Sequence, residues 1–289
     1  MDLATTKALL RQYHVRPNKL RGQNFLVSDG AAVRIVAAAG IRPEETVLEV
    51  GPGLGALTGL LLERARRVVA VEIDRGLCRI LRDRLGDRDG LELIHGDVLK
   101  TDLEALIREA GPGGLRIVGN LPYQITGAAL RMILDRLRRL RGAALTVQRE
   151  VAGRLTAGPG SKAFGILSVA ARYHAIVRRR FSLSGGVFYP RPRVTSTVLS
   201  LEPRDRPPVD VGDEELFFQT VSALFGHRRK TARNALRQHP RLQPSSSRLD
   251  ELARRSGIDL GRRAETMSLE ELATIANFIG EWQHAGSDQ

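Results

Sequence analysis

Cysteine is almost missing from this chain: Cys78 is the only one among 289 residues. One thiol makes no internal disulfide and no thiolate metal cluster, so Cys78 reads as packing. The six histidines are scattered without metal-ligand spacing, so no metal is expected. No apolar run reaches the roughly 18 residues that cross a bilayer, and no apolar signal core opens the chain. These absences point to a soluble, cytoplasmic protein with no membrane partner. Acid is also short. Asp and Glu number 32 against 45 Lys and Arg, a net charge of +13. A surplus of that size suits a polyanion, with nucleic acid the first candidate, unless it reflects a general arginine bias. Clustering of the cations has to decide.

What is present is a glycine-dense turn between two regular elements. Val47-Leu48-Glu49-Val50 is apolar enough for a buried strand, Gly51-Pro52-Gly53-Leu54-Gly55 follows, and Leu57, Leu60 and Leu61 begin a helical pattern. Glycines there let a ligand approach the backbone where a Cβ would block it. Val68–Asp74 reads as a second buried strand ending in acid, about twenty residues on, where nucleotide sites hold a ribose. Such turns are also common as plain connections. The turn lacks the third glycine spaced for a dinucleotide pyrophosphate, and Pro52 removes an N–H from any phosphate cradle. A cationic, phosphate-free nucleoside such as S-adenosylmethionine fits better than NAD. Glu49, Glu72 and Asp97 would put negative charge near its sulfonium.

From residue 46 the pattern alternates. Strands are expected at 46–50, 68–73, 91–95, 115–119, 143–148, 172–178 and 196–201. Helices are expected at 55–65, 75–85, 102–109, 127–139 and about 150–156. This predicts an α/β fold: a mostly parallel, Rossmann-like sheet covered on both faces, its last strand antiparallel. Ligands in such sheets bind beyond the carboxyl ends of the strands, which brings distant motifs together. His95-Gly96-Asp97 ends the third strand, and its carboxylate suits either an adenine amino group or a helix cap. Asn120-Leu121-Pro122-Tyr123 ends the fourth.

An adenine amine is a poor nucleophile, because its lone pair is delocalised into the ring. A catalyst must accept both N–H bonds and align the nitrogen with a methyl carbon. An Asn carboxamide oxygen plus a backbone carbonyl can do so, Pro122 stiffens the turn, and Tyr123 offers a face for an extruded base. No strong base is needed, since the alkylated amine becomes acidic. Positioning and electrostatics would carry the rate.

The order of these motifs resembles the small-subunit ribosomal RNA adenine dimethyltransferases of the KsgA/Dim type, over about residues 5–280. The shared segments are Gly22-Gln23-Asn24-Phe25-Leu26, Glu49–Gly53, Val71–Asp74, Gly96-Asp97-Val98, Asn120–Tyr123, Gln148–Val151, Phe188–Pro192 and Arg228–Asn234. The resemblance implies a class I methyltransferase fold, S-adenosylmethionine as donor, and two adjacent adenosines of the 3′-terminal hairpin of 16S rRNA as target. By matching motifs, Asn24 and Leu26 close over the cofactor, Gly51 approaches its methionine part, Glu72 holds the ribose and Asp97 the adenine. Asn120 bridges cofactor and target amine, and Tyr123 and Phe188 sandwich the base. Read alone, Gln23-Asn24-Phe25 is a helix lead-in with a buried Phe, and Phe188 an ordinary loop aromatic. Gln124 and Thr195 depart from the family pattern, which has Asn and Asp there.

Residues 1–22 are basic and read as an arm, mobile or briefly helical, ahead of a methyltransferase domain at 23–203. The proline-rich joint Glu202–Pro208 then leads to an all-helical domain at 204–289, with helices near 213–226, 228–238, 247–256 and 268–282. Phe217, Phe218, Val221 and Leu224 supply its apolar face. Cations cluster along His227–Arg237, expected as one helix, and at Arg178–Arg180, Arg191 and Arg193. Arg191, Arg193, Arg228, Arg229, Lys230 and Arg233 are the candidates for RNA phosphates in the small subunit. Arg136, Arg138, Arg139 and Arg141 read as a solvated face. A monomer is expected. The competing readings are a macrolide-resistance type enzyme acting on large-subunit rRNA, a non-catalytic assembly factor, and an NAD oxidoreductase.

Overall fold

The computed structural model describes residues 1–227 and 229–287. They form two compact units, Met1–Ala152 with His174–Asp205 and Gly153–Tyr173 with Arg206–Gln289. The chain thus leaves the first unit after Ala152, contributes a segment to the second, and returns at His174.

The first unit is built on nine strands: β1 (Phe25–Leu26), β2 (Thr46–Val50), β3 (Arg67–Glu72), β4 (Leu91–His95), β5 (Leu115–Asn120), β6 (Gly142–Gln148), β7 (Ala175–Leu183), β8 (Phe188–Tyr189) and β9 (Ser196–Pro203). Seven of them make one sheet in the order β4-β3-β2-β5-β6-β9-β7, and β1 pairs separately with β8. The strands β4, β3, β2, β5 and β6 are parallel neighbours, and β9 runs antiparallel to both β6 and β7. Every residue of β2 is buried, as a central strand covered on both faces demands. At the amino end of β2, buried Glu45 accepts from Arg116 Nε at 2.6 Å and Nη2 at 2.8 Å. The carboxyl ends of β2, β3 and β5 lie side by side, with Val50 level with Val71 and Gly119.

The basic N-terminus is a helix, Leu3–Gln12, capped by Asp2, whose carboxylate accepts from Thr5 N at 2.8 Å. Its i, i+4 pair Thr6 and Leu10 is buried, and Leu10 packs with Leu77 and Ile80. The helix after the glycine turn is shorter than the apolar spacing suggests, Thr58–Leu62. Gly55, at φ 83°, still belongs to the turn. Strand β7 begins later than expected because Ile166–His174 is helical. It then runs through Arg178–Arg180 on the edge of the sheet, where Arg178 and Arg180 pair with Glu202 at 3.7 and 3.4 Å. Those arginines guard an edge strand against unwanted pairing. Arg136 and Arg139 likewise pair with Glu104.

The second unit is helical: Ile166–His174, Glu214–Phe225, Ala232–Arg237, Ser246–Ser256 and Leu269–Ser287. Phe217, Val221 and Leu224 are buried together with Leu249, Leu252, Leu272 and Ile275, and Phe218 is partly buried against them. Tyr173 stacks on Phe217 with ring centroids 5.3 Å apart. The basic stretch is not one helix. Thr231 adopts an extended backbone and its hydroxyl accepts from Asn234 N, so the helix starts after it and leaves His227, Arg229 and Lys230 in the preceding turn.

Candidate active site

A cavity of about 230 Å³ opens at the carboxyl ends of β2, β3 and β5, within the first unit. Its walls come from the glycine turn (Gly51, Gly53), the end of β3 (Glu72, Ile73), Gly96-Asp97-Val98, the Asn120–Ile125 segment, and the loop Leu20–Phe25. A small recess beneath it shares Asn24, Phe25, Gly51, Gly53 and Asn120 with the main cavity and adds Glu49 and Leu26.

The turn has the backbone that glycine permits. Gly51 and Gly53 have φ of 65° and 63°, which would strain any side chain. A Cβ on Gly53 would lie 3.2 Å from the Phe25 ring. Glu72 is 5% exposed. Its Oε2 accepts from Gly53 N at 3.1 Å and its Oε1 from Asp74 N at 2.9 Å, which fixes the carboxylate against the turn. Burial, above all, raises its pKa. Glu49 is 1% exposed. Its Oε2 and the nearby Thr58 hydroxyl are both buried without a hydrogen bond of good geometry. Burial, reinforced by the charge of Glu72, pushes Glu49 up to about 8. Asp97 caps the short turn that follows, accepting from Leu99 N at 3.0 Å, and also lines the cavity.

Asn120 is the last residue of β5. Its Nδ2 donates to the Asn24 carbonyl at 3.1 Å. Among the described residues its Oδ1 makes no hydrogen bond, and it borders the cavity. The Pro122 carbonyl accepts from Ile125 N at 3.2 Å and Thr126 Oγ1 at 2.9 Å, which closes the turn. Tyr123 lines the cavity, and its hydroxyl lies 3.4 Å from Ser196 Oγ. Cys78 is buried and free, and its thiol is pushed up to about 11 by burial, so it carries no nucleophilic chemistry here.

The structure brings together Asn24, Gly51, Glu72, Asp97, Asn120 and Tyr123 on the main cavity, with Leu26 in the recess. Phe188 lies elsewhere. Strand β8 pairs with β1 so that Phe188 is opposite Leu26 and Tyr189 opposite Phe25. The two-residue period sends Leu26 and Phe188 into one core cluster, where Phe188 is 4% exposed, and Phe25 and Tyr189 into another. The two-ring sandwich is therefore not assembled in this structure, and Tyr123 is the only member of that pair on the cavity. Arg191 and Arg193 are exposed on the first unit. On the second, Arg229 is exposed, Lys230 bonds Gln238, and Arg233 pairs with Asp250 at 2.7 Å. Arg228 lies outside the described residues.

Sequence reading placed Gln124 beside the target pocket, and it lines the cavity, but passed over Leu20, Arg21, Gln23 and Ile73 as cavity residues. Nothing periodic marks them, because a loop and a strand end bring them in. Among the described residues no group of His, Cys, Asp and Glu could hold a metal ion, and no helix is long and apolar enough to cross a membrane.

Residues 15–281 match the family profile of ribosomal RNA adenine dimethylases. The chain belongs to that family. It is accordingly an enzyme, a methyltransferase. It is 44% identical over 280 residues to a ribosomal RNA small subunit methyltransferase A of Moorella thermoacetica, covering 95% of this chain and 96% of the relative. It is 40% identical over 277 residues to the protein of that name from Alkaliphilus oremlandii, covering 96% of each. The fold is that of a dimethyladenosine transferase from Plasmodium falciparum, with a TM-score of 0.72, 22% identity, and coverage of 91% of this chain and 98% of that one. The 23S rRNA methyltransferase ErmE is similar with a TM-score of 0.65 and 26% identity, covering 89% of this chain and all of that one.

Proposed function

We propose that this dimethylase transfers methyl groups from S-adenosylmethionine to N6 of two adjacent adenosines in the 3′-terminal hairpin of 16S rRNA, two to each. The observation that carries the reading is the Asn120 carboxamide, its nitrogen committed to Asn24 and its oxygen unpartnered beside a cavity ringed with acid. The donor set suits S-adenosylmethionine. Glu72 and Asp97 would repel a pyrophosphate, and Glu49 in the recess brings no cation to attract one. Glu72 would take the ribose hydroxyls, Asp97 the adenine amine and Gly51 the methionine end, with Asn24 and Leu26 closing over the donor. Bound there, the donor would supply an electrophilic methyl group on sulfur, with a thioether as leaving group.

The protein's part is then to present the nitrogen. Asn120 Oδ1 accepts one N6–H. The Pro122 carbonyl is occupied, so the Leu121 carbonyl is the backbone acceptor for the other. With both N–H bonds held, the lone pair is drawn out of conjugation, attacks the methyl carbon, and the alkylated amine releases a proton to water. Tyr123 stacks on the extruded base. Phe188 would supply the second face by leaving the cluster it shares with Leu26. Arg191, Arg193, Arg228, Arg229, Lys230 and Arg233 contact rRNA phosphates. The enzyme acts as a cytoplasmic monomer.

The large-subunit reading is the runner-up, and identity of 40% or more to small-subunit relatives against 26% to ErmE argues against it. The test is to supply tritiated methyl donor with separately purified, unmethylated small and large subunits. Label on N6-dimethyladenosine of 16S rRNA is expected. Label in the large subunit alone overturns the proposal.

A further inference from the structure

The loop 18–24 contributes Leu20–Asn24 to the wall of the cavity and is tied down on both banks. It is first folded on itself: Asn18 N donates to Gln23 Oε1 at 2.7 Å, and the Asn18 carbonyl accepts from Gln23 N and Arg21 N, both at 3.2 Å. On the β3 bank, Asp74 Oδ2 accepts from Arg21 Nη1 at 3.0 Å and Gln23 Nε2 at 3.3 Å. On the β5 bank, Asn24 Nδ2 holds the Gly22 carbonyl at 2.9 Å, and the Asn24 carbonyl accepts from Asn120 Nδ2. Gln124 packs there too, its Oε1 2.4 Å from where a Cβ on Gly22 would stand. Strands β3 and β5 flank β2, so the loop spans about 10 Å, two strand spacings, above the glycine turn.

We infer that Asp74 and Gln23 are positioning residues for methyl transfer: through the loop they place the Asn24 carbonyl that keeps the Asn120 carboxamide oxygen turned toward the target amine. The inference rests on the proposal that Asn120 receives that amine. A carboxamide has two ends of similar shape and opposite hydrogen-bonding sense. If Asn120 flips, its NH₂ meets the N6–H bonds it should accept, and the nitrogen is no longer held. The Asn24 carbonyl forbids the flip, because Oδ1 in place of Nδ2 would set oxygen against oxygen. The carbonyl's own place is fixed by neighbours in a loop that has no regular ladder of its own. Asp74 is its one carboxylate anchor on the β3 bank among the described residues.

Asp74 has a second task that the test must separate. Its Oδ1 caps the helix Arg75–Leu85, accepting from Gly76 N at 2.9 Å and Leu77 N at 3.3 Å. Asn is as good a cap as Asp. Asp74→Asn therefore keeps the cap and replaces Oδ2 with an NH₂ that confronts the donors of Arg21 and Gln23. Adding Gln23→Glu restores the contact between positions 23 and 74 with donor and acceptor exchanged, while Arg21 still faces the new NH₂.

The experiment measures kcat, the KM for small subunits, and thermal midpoint in wild type, Asp74→Asn, Gln23→Glu with Asp74→Asn, and Asn120→Ala. Asp74→Asn is expected to lower kcat by about 10- to 100-fold, the scale of a roughly 1 Å misplacement, with the subunit KM and the melting temperature unchanged. The double variant is expected to recover part of the loss. A kcat for Asp74→Asn within about twofold of wild type, with Asn120→Ala inactive, overturns the inference and leaves the proposed reaction standing. Turnover retained in Asn120→Ala overturns the proposed reaction and this inference with it. If Asp74→Asn melts early, Gln23→Ala in the loop takes its place, and an unchanged kcat there is equally fatal.

Discussion

The two ends of β2 hold carboxylates under opposite regimes. Glu45, just before the strand, and Glu49, within it, are each 1% exposed. Glu45 is gripped by both arms of Arg116. Among the described residues Glu49 has no cation beside it, a neighbouring acid in Glu72, and only the Thr58 hydroxyl to offset its burial. One acid is neutralised by the fold, and the other, four residues on, lines the recess at the site. The amino end of the sheet is built to be stable. The carboxyl end tolerates unfavourable burial so that it can bind.

That contrast can be broken from either side. Arg116→Met should do the most damage to stability, because it strands Glu45 as a buried charge. A loss of about 3–5 kcal/mol is expected in denaturant unfolding, while the single-turnover rate of the molecules that remain folded stays the same. Asn120→Ala should do the reverse, cutting methyl transfer by about 100- to 1,000-fold with an unchanged melting temperature. A variant at either end that lost stability and turnover together would dissolve the distinction.

Glu49→Gln sharpens it further. In the folded chain Glu49 keeps its proton up to about 8, whereas the unfolded chain releases it near the ordinary carboxylate value. Over that window the folded state binds more protons, so stability falls as pH rises, and the loss levels off above about 8. Glu72, also raised by burial, adds to the same slope. Glu49→Gln should therefore flatten the dependence of melting temperature on pH, gaining about 2–4 °C per kcal/mol over wild type at pH 8.5 and little at pH 4. Donor affinity, read by calorimetry, should weaken at the same time. The smallest effect is expected at the surface. Arg191→Ala and Arg193→Ala should each reduce the salt dependence of rRNA binding by about one unit of log–log slope if each meets a phosphate.

The same division governs how far the sequence could be read. Buried central strands announce themselves in runs such as Val68-Val69-Ala70-Val71, and the glycine turn between β2 and its helix is legible because few residues adopt that backbone. The helix Ile166–His174 was missed and its end taken for strand, because the apolar stretch running into β7 hides the helical spacing of Ile166, Val169, Ala170 and Tyr173. Other features had no local signal. The side to which Phe188 turns depends on its register with Leu26, a partner 162 positions away in sequence. The anchoring of Gln23 by Asp74 is a contact between a loop and a strand end, 51 positions apart. Residue type and spacing singled out Glu72, Asp97 and Asn120, and all three line the cavity. They could not supply the geometry that holds Asn120 in one orientation.

The excursion of Gly153–Tyr173 has a practical outcome for anyone wishing to cut this enzyme apart. Stopping translation after Asp205 would not free a clean catalytic module. It would leave Phe164, Val169 and Tyr173 dangling from it with no helices to cover them, a greasy flap inviting aggregation. A separable half would need that segment excised and the ends at Ala152 and His174 rejoined by a short linker.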